Sequence, residues 1–124
     1  MRPMNPDFEM YRRLMVEAAF DLADRAEQAR LWTSKADPSH AREISSPVEM
    51  VAAFLDDARA DDVLDRHEKR LTPLQIETAR FLIAALERIP DNLYDAPPDT
   101  VIHSDEWNAV RHHASEFMKA WRHS

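Results

Sequence analysis

Residues 72–90 read TPLQIETARFLIAALERIP, and this stretch decides the fold class. Thr72 and Gln75 form the pattern of a capping box with Pro73 in the first helical turn, and Pro90 ends the helix. Between these ends, residues suited to a buried face recur every three or four positions, which predicts an amphipathic helix. The stripe consists of Leu74, Thr78, Phe81, Leu82, Ala85, Leu86 and Ile89.

The same signals predict further helices on both sides of this one. The full set runs from Pro6 to Trp32, from Pro47 to near Ala58, from about Asp61 to Leu71, from Pro73 to Ile89, and from Ser104 or Asp105 through Trp121. The segments 33–44 and 90–102 contain proline without periodicity and are predicted to be irregular connections, the first of them mobile.

The predicted architecture is an all-α, single-domain bundle of about five helices that spans residues 1–124. One domain is expected because a chain of this length can bury one core but not two. In that core we expect Trp107 and Trp121 to pack inward beside Leu82 and Leu86.

The composition excludes several kinds of site. The chain has no glycine, whereas average usage would give about nine in 124 residues. Phosphate-binding loops, dinucleotide-binding turns and nucleophile elbows need glycine, so none of them is expected. The absence of cysteine excludes disulfides, thiolate nucleophiles and cysteine-ligated zinc. Since the sequence shows neither a signal segment nor a membrane span, we expect a cytoplasmic protein.

Negative charge is concentrated in two segments. The net charge is −7, which disfavours nucleic acids and membranes as partners and favours a basic protein. Residues 48–68 contain seven acidic side chains against two arginines, and residues 91–106 contain five against no base. The helix macrodipole explains Glu49, Asp105 and Glu106, but not the other acids.

We therefore predict a partner-binding surface in these segments, with Tyr94 as an aromatic anchor. Its residues are Asp56, Asp57, Asp61, Asp62, Asp65, Glu68, Asp91, Tyr94, Asp95 and Asp99. Two alternatives stay open at this point. The acidic residues could serve solubility alone, and Tyr94 could pack within its own connection.

The histidines and hydroxyl groups form no recognisable catalytic or metal site. No predicted helix carries Glu-x-x-His or His-Glu-x-x-His, and His112 with Glu116 is a lone pair. Surface histidines or a partly buried packing histidine are therefore expected. Ser46, Thr72 and Ser104 are explained as helix caps, so no serine or threonine has support as a nucleophile. We predict no enzymatic activity, no cofactor and no metal.

A series of short motifs extends from the end of the first predicted helix, at Trp32, to the C-terminal helix. In order they are Trp32, Ser46-Pro47-Val48-Glu49-Met50 with Phe54 and Asp56-Asp57, Leu71-Thr72-Pro73 with Gln75, and Asp105 with Trp107 and Val110. This series resembles small bacterial immunity proteins, the cognate inhibitors of polymorphic and contact-dependent growth inhibition toxins. The resemblance implies a stoichiometric binder, often acidic, that covers a toxin's active site or substrate surface. The resemblance assigns no role to any individual residue of this chain, because such proteins share no catalytic motif.

The leading hypothesis is an immunity protein that neutralises a basic toxin domain, for example a nuclease. Another is a helical regulatory or adaptor protein, including a nucleic-acid mimic, which would use the same acidic residues. A third is a small enzyme or metal-binding helical protein that uses His67, His103, His112 or His113. Gene order separates the first two, since an immunity gene should directly follow a toxin gene. Metal analysis of the purified protein tests the metal-binding form of the third.

Overall fold

The structure is a computed structural model that describes residues 6–33 and 46–122. Within these ranges every regular element is helical, which confirms the all-α class. The elements are α1 (Pro6–Ala23), α2 (Arg25–Thr33), α3 (Pro47–Ala52), a π-helical turn (Ala53–Asp57), α4 (Ala60–His67), a 3-10 turn (Glu68–Arg70), α5 (Pro73–Glu87), α6 (Asp91–Tyr94), α7 (Pro98–Ile102) and α8 (Asp105–Trp121). A bundle of about five helices is not confirmed, because the helices are shorter and more numerous than the periodicity predicts.

The single helix predicted from Pro6 to Trp32 is wrong, because the chain breaks at Asp24 into α1 and α2. The Asp24 carboxylate accepts a hydrogen bond of 3.0 Å from the backbone N–H of Glu27, as an N-cap does. The Asp24 carbonyl accepts the backbone N–H of Gln28, which begins the hydrogen bonding of α2. Both helices bury apolar side chains, among them Leu22 of α1 and Trp32 of α2, so the apolar periodicity continues through the break and conceals it.

The segment 90–102, predicted to be irregular, contains two short helices. Pro90 directly precedes α6, and Pro97 and Pro98 lie at the start of α7. Proline fits these places because its fixed φ suits a first turn, where an N–H has no intrahelical partner. The prolines therefore begin helices here instead of preventing them. The predicted mobile connection 33–44 lies, after Thr33, outside the described residues.

The predicted caps of the other helices are present. At α5 the Thr72 hydroxyl accepts the Gln75 backbone N–H at 3.1 Å, and the Gln75 side chain accepts the Thr72 backbone N–H at 2.9 Å. The Ser104 hydroxyl accepts the Trp107 backbone N–H and begins α8, while Ser46 caps α3 through Glu49. Each of these caps satisfies a backbone donor that the helix itself leaves without a partner.

The core centres on α8, on which α1 and α5 pack more extensively than any other two elements pack together. Trp107 and Trp121 are fully buried as predicted, and Leu82 and Leu86 belong to the same core. The Trp121 indole N–H donates to the Gln75 carbonyl at 2.9 Å and so ties the end of α8 to the start of α5. The two helices therefore run antiparallel.

Two members of the predicted α5 stripe do not belong to the core. Leu74 and Phe81 retain 57% and 52% of their accessible surface. They are seven positions apart, so they share a face of α5 that is rotated away from the buried side chains of Leu82 and Leu86. The Phe81 ring instead stacks on His113 of α8, with centroids 5.7 Å apart.

A buried polar network holds the α1–α2 break against α8. The amide nitrogen of Gln28 donates to the carbonyls of Asp21 and Leu22, and its oxygen accepts from the Arg111 guanidinium at 2.9 Å. Arg111 also donates to the carbonyl of Ile102 at the end of α7. A buried polar group without a hydrogen-bond partner would destabilise the fold. The network therefore fixes how α2, α7 and α8 pack together.

Candidate protein-docking surface

The predicted partner-binding residues fall into two groups carried by different helices. The first group, called the acidic α4 surface below, comprises Asp56, Asp57, Asp61, Asp62, Asp65 and Glu68 of the π-helical turn, α4 and the 3-10 turn. The second acidic group comprises Asp91, Asp95 and Asp99 around α6 and α7, together with Tyr94. The π-helical turn and α4 pack on α1, whereas α6 packs on α7 and α7 on α2 and α8. The fold thus anchors the two groups on different neighbours.

Helix α4 separates apolar and acidic side chains cleanly. Val63, Leu64 and His67 are buried against the core. The carboxylates of Asp61, Asp65 and Glu68 are exposed and follow one another at spacings of four and three residues. Asp61 and Asp65, four residues apart, share one face of α4, and Glu68 extends this row of carboxylates into the 3-10 turn. A row of this kind can meet several basic side chains of one partner.

The π-helical turn positions the first two acids of the surface. The Phe54 side chain is fully buried and meets the Phe117 ring edge-on, with centroids 5.3 Å apart. The Ala58 N–H closes the wide turn by donating to the Ala53 carbonyl at 3.0 Å. With Phe54 held inside, Asp56 and Asp57 are exposed.

Arg59 joins the π-helical turn to α4 in a left-handed conformation, with φ of 54° and ψ of 52°. It is the sole non-glycine residue with positive φ in the described ranges. Such a conformation costs a residue with a Cβ about 1–3 kcal/mol unless its surroundings compensate. The Arg59 guanidinium lies over the Tyr11 ring at 5.8 Å, which provides part of that compensation.

The two arginines between Asp56 and Glu68 are both engaged. Arg59 faces the Tyr11 ring, and Arg66 forms an ion pair with Asp62 at 3.1 Å on the surface of α4. In the part of the chain that the structure describes, the other carboxylates of this surface form no ion pair. They are Asp56, Asp57, Asp61, Asp65 and Glu68. The negative charge is therefore exposed to solvent and to a partner.

More of the acidic residues lie in the first turn of a helix than the sequence suggests. Because α4 begins at Ala60, Asp61 and Asp62 lie in its first turn, and Asp91 and Asp99 lie in the first turns of α6 and α7. Carboxylates there are stabilised by the helix macrodipole, so the expectation that only three acids had this explanation is wrong. Asp65, in the middle of α4, has no such explanation.

Tyr94 is half-buried and packs against the core. Burial raises the pKa of its hydroxyl, and the neighbouring Asp91 carboxylate raises that pKa further. An aromatic anchor for a partner would present its ring to solvent, so the burial favours packing within the chain. The second acidic group consequently gives weaker support for a docking surface than the acidic α4 surface does.

The histidines occupy separate environments. His67 is buried at the end of α4 beside the Phe8 ring, at 4.8 Å, whereas His103 is exposed after α7. His112 and His113 adjoin each other on α8, with ring centroids 5.1 Å apart. Residues 6–33 and 46–122 contain no group of three or more His, Asp or Glu side chains arranged to hold a metal ion. His40 and His123 lie outside those ranges.

His113 should make stability depend on pH. Partial burial, followed by the nearby His112 and Arg88, lowers the pKa of its imidazole, although Glu116 opposes the shift. The folded state therefore binds this proton less tightly than the unfolded state does. We expect the free energy of unfolding to fall as the pH drops through the normal histidine range near about 6.5 and below. Denaturant unfolding of the native chain and of His113→Gln at about pH 5 and about pH 8 measures this effect.

The His113→Gln variant should lose less stability on acidification than the native chain does. The matched control is His103→Gln, which replaces an exposed imidazole after α7 and leaves His113 in place. An unchanged pH dependence in His113→Gln would contradict the assignment.

Comparisons with known proteins give no match, whether with family models, with characterised proteins or with solved structures. The resemblance to immunity proteins therefore remains a prediction. None of the helices in the described ranges combines the length and the apolar character needed to cross a membrane.

Proposed function

We propose that this chain is an immunity-type inhibitory protein that binds a basic toxin domain through the acidic α4 surface and has no enzymatic activity of its own. One observation carries the proposal. Five carboxylates of this surface form no ion pair with the described residues, while the two arginines between Asp56 and Glu68 are engaged with Tyr11 and Asp62. Charge left exposed in this way is available to a partner of opposite charge.

Repulsion between carboxylates of the acidic α4 surface also supports a binding role. Asp61 and Asp65 are like charges four residues apart, an arrangement that destabilises a helix by about 0.2–0.5 kcal/mol. A surface needed only for solubility could distribute its acids anywhere on the molecule. Repulsion between neighbouring carboxylates on one helix is better explained by a requirement for carboxylates at these positions.

The proposed inhibition is stoichiometric. Exposed carboxylates attract a basic domain over a distance of about one Debye length and orient it as it approaches. The row of Asp61, Asp65 and Glu68 then pairs with lysine or arginine side chains, and the body of the helical domain covers the surface that the toxin uses. In this mechanism the chain contributes shape and charge, and it does not need to carry out any chemistry.

The partner can be identified by capture. Immobilised chain should retain, from extracts of its host, a protein with a basic domain whose gene directly precedes that of this chain. We expect the association rate of the two purified proteins to fall at least about tenfold between 0.05 and 0.5 M salt, since ions screen the charges that steer the encounter. Stopped-flow or surface-based kinetics measures this rate.

Other outcomes would contradict the proposal. A salt-independent association rate would show that the acidic α4 surface does not steer the encounter. A captured partner that is a non-toxic nucleic-acid-binding protein would indicate a nucleic-acid mimic, and a partner without a basic surface would indicate an adaptor.

A further inference from the structure

A groove with a volume of about 280 Å³ lies between the middle of α1 and the C-terminal end of α8. Arg12, Arg13 and Arg122 line it, together with Glu9 and Glu17. We call it the arginine groove. In a chain with a net charge of −7, a concave surface with three guanidinium groups is unusual. None of its residues belongs to the acidic α4 surface.

The three arginines of the groove have different roles. Arg12 is half-buried and donates to the Trp121 carbonyl at 2.5 Å, which satisfies a backbone acceptor at the end of α8. Arg13 and Arg122 are exposed, and neither forms an ion pair or a side-chain hydrogen bond with any described residue. Two guanidinium groups with free donors therefore face one groove whose third arginine is fixed in place.

A second, smaller depression of about 160 Å³ adjoins the first, since Glu9 and Arg12 line both. It adds Arg70, whose guanidinium lies over the Phe8 ring at 5.5 Å. Each of the two adjoining depressions is therefore lined by arginine. This arrangement suits an anion that carries two linked charged groups.

We propose that the arginine groove binds a small phosphate-bearing anion with two linked phosphate groups, a diphosphate. Guanidinium groups bind phosphate oxygens through paired N–H donors, and such charge-assisted hydrogen bonds are about twice as strong as neutral ones. The glutamates Glu9 and Glu17 offset two of the positive charges. Affinity therefore depends on directed N–H contacts to phosphate oxygens, and a simple halide gains little.

Nuclear magnetic resonance of the indole N–H groups provides a direct test. The chain has three tryptophans, and Trp121 lines the groove, whereas Trp32 and Trp107 pack against each other at 5.1 Å elsewhere in the core. Titration with inorganic diphosphate should shift the Trp121 indole signal in a saturable manner and leave the Trp32 and Trp107 signals in place. Chloride at the same ionic strength should not reproduce the shift.

The matched variants remove two positive charges each. Arg13→Gln with Arg122→Gln should weaken diphosphate binding at least about tenfold. Arg80→Gln with Arg88→Gln, at exposed positions on α5 and just after its end, should leave it unchanged. Arg12 is kept because it also caps α8. The absence of a saturable shift, or equal weakening in both variants, would overturn the proposal. Neither result bears on the acidic α4 surface, so the two proposals can fail separately.

Discussion

Replacing Trp107 by alanine should lower the free energy of unfolding by about 3–5 kcal/mol, because it removes a fully buried aromatic side chain and leaves a cavity. The Trp107 ring packs edge-on against Trp32, with centroids 5.1 Å apart, so the substitution also removes one of the contacts that join α2 to α8. Urea denaturation followed by circular dichroism measures the change.

Two further variants test whether the loss of stability comes from the buried Trp107 ring. Phe81→Ala removes an aromatic side chain that is 52% exposed, and it should change stability by no more than about 0.5 kcal/mol. Trp107→Phe should cost clearly less than Trp107→Ala, since it keeps most of the ring volume. It also removes an indole N–H that is buried without a hydrogen-bond partner. Equal effects of Trp107→Ala and Phe81→Ala would mean that Trp107 does not support the core.

The helices that carry their own start signals could be predicted from the sequence. Thr72 with Gln75 and Ser104 with its following acids are local patterns, and a local pattern determines a local hydrogen bond. The burial of Trp107 and Trp121 followed from periodicity within one helix. The exposure of Phe81 did not, because it depends on how α5 is rotated against α8, which is a property of tertiary packing.

The connection between the π-helical turn and α4 could not be predicted. A left-handed residue usually has glycine or asparagine as its signal, and the sequence Ala58-Arg59-Ala60 contains neither. Arg59 adopts this conformation because the buried Phe54 on one side and the buried Ala60 on the other fix the path of the chain. These constraints come from the folded core, so no pattern in nearby sequence reports them.

The structural roles of the acidic residues near the α1–α2 break could not be predicted from the sequence either. In the sequence Asp21, Asp24 and Glu27 have the spacing of a solvated helical face. In the structure Asp24 caps α2, Glu27 pairs with Arg30, and burial together with neighbouring carboxylates raises the pKa of Asp21. The sequence located the acids of the molecule, but it could not separate those with a structural role from those that remain available to a partner.

Charge reversal on the acidic α4 surface should abolish inhibition of the captured toxin. The variant Asp61→Lys, Asp65→Lys and Glu68→Lys turns the row of three carboxylates into a row of ammonium groups. Each close charge pair that is lost from a buried contact with a partner weakens the binding free energy by about 2–5 kcal/mol. We therefore expect the affinity to fall at least about 100-fold. Exposed charges contribute little to folding, so the helical circular dichroism spectrum should be retained.

The control reverses three acids elsewhere, with Glu17→Lys, Glu77→Lys and Glu87→Lys, which are exposed on α1 and α5 and change the net charge equally. The most direct test is the equilibrium affinity of both variants for the captured partner, measured at one salt concentration with protection of toxin-expressing cells as the second readout. A binding role for the acidic α4 surface predicts loss of affinity and protection in the first variant and retention of both in the control. Native affinity and protection in the first variant would contradict it.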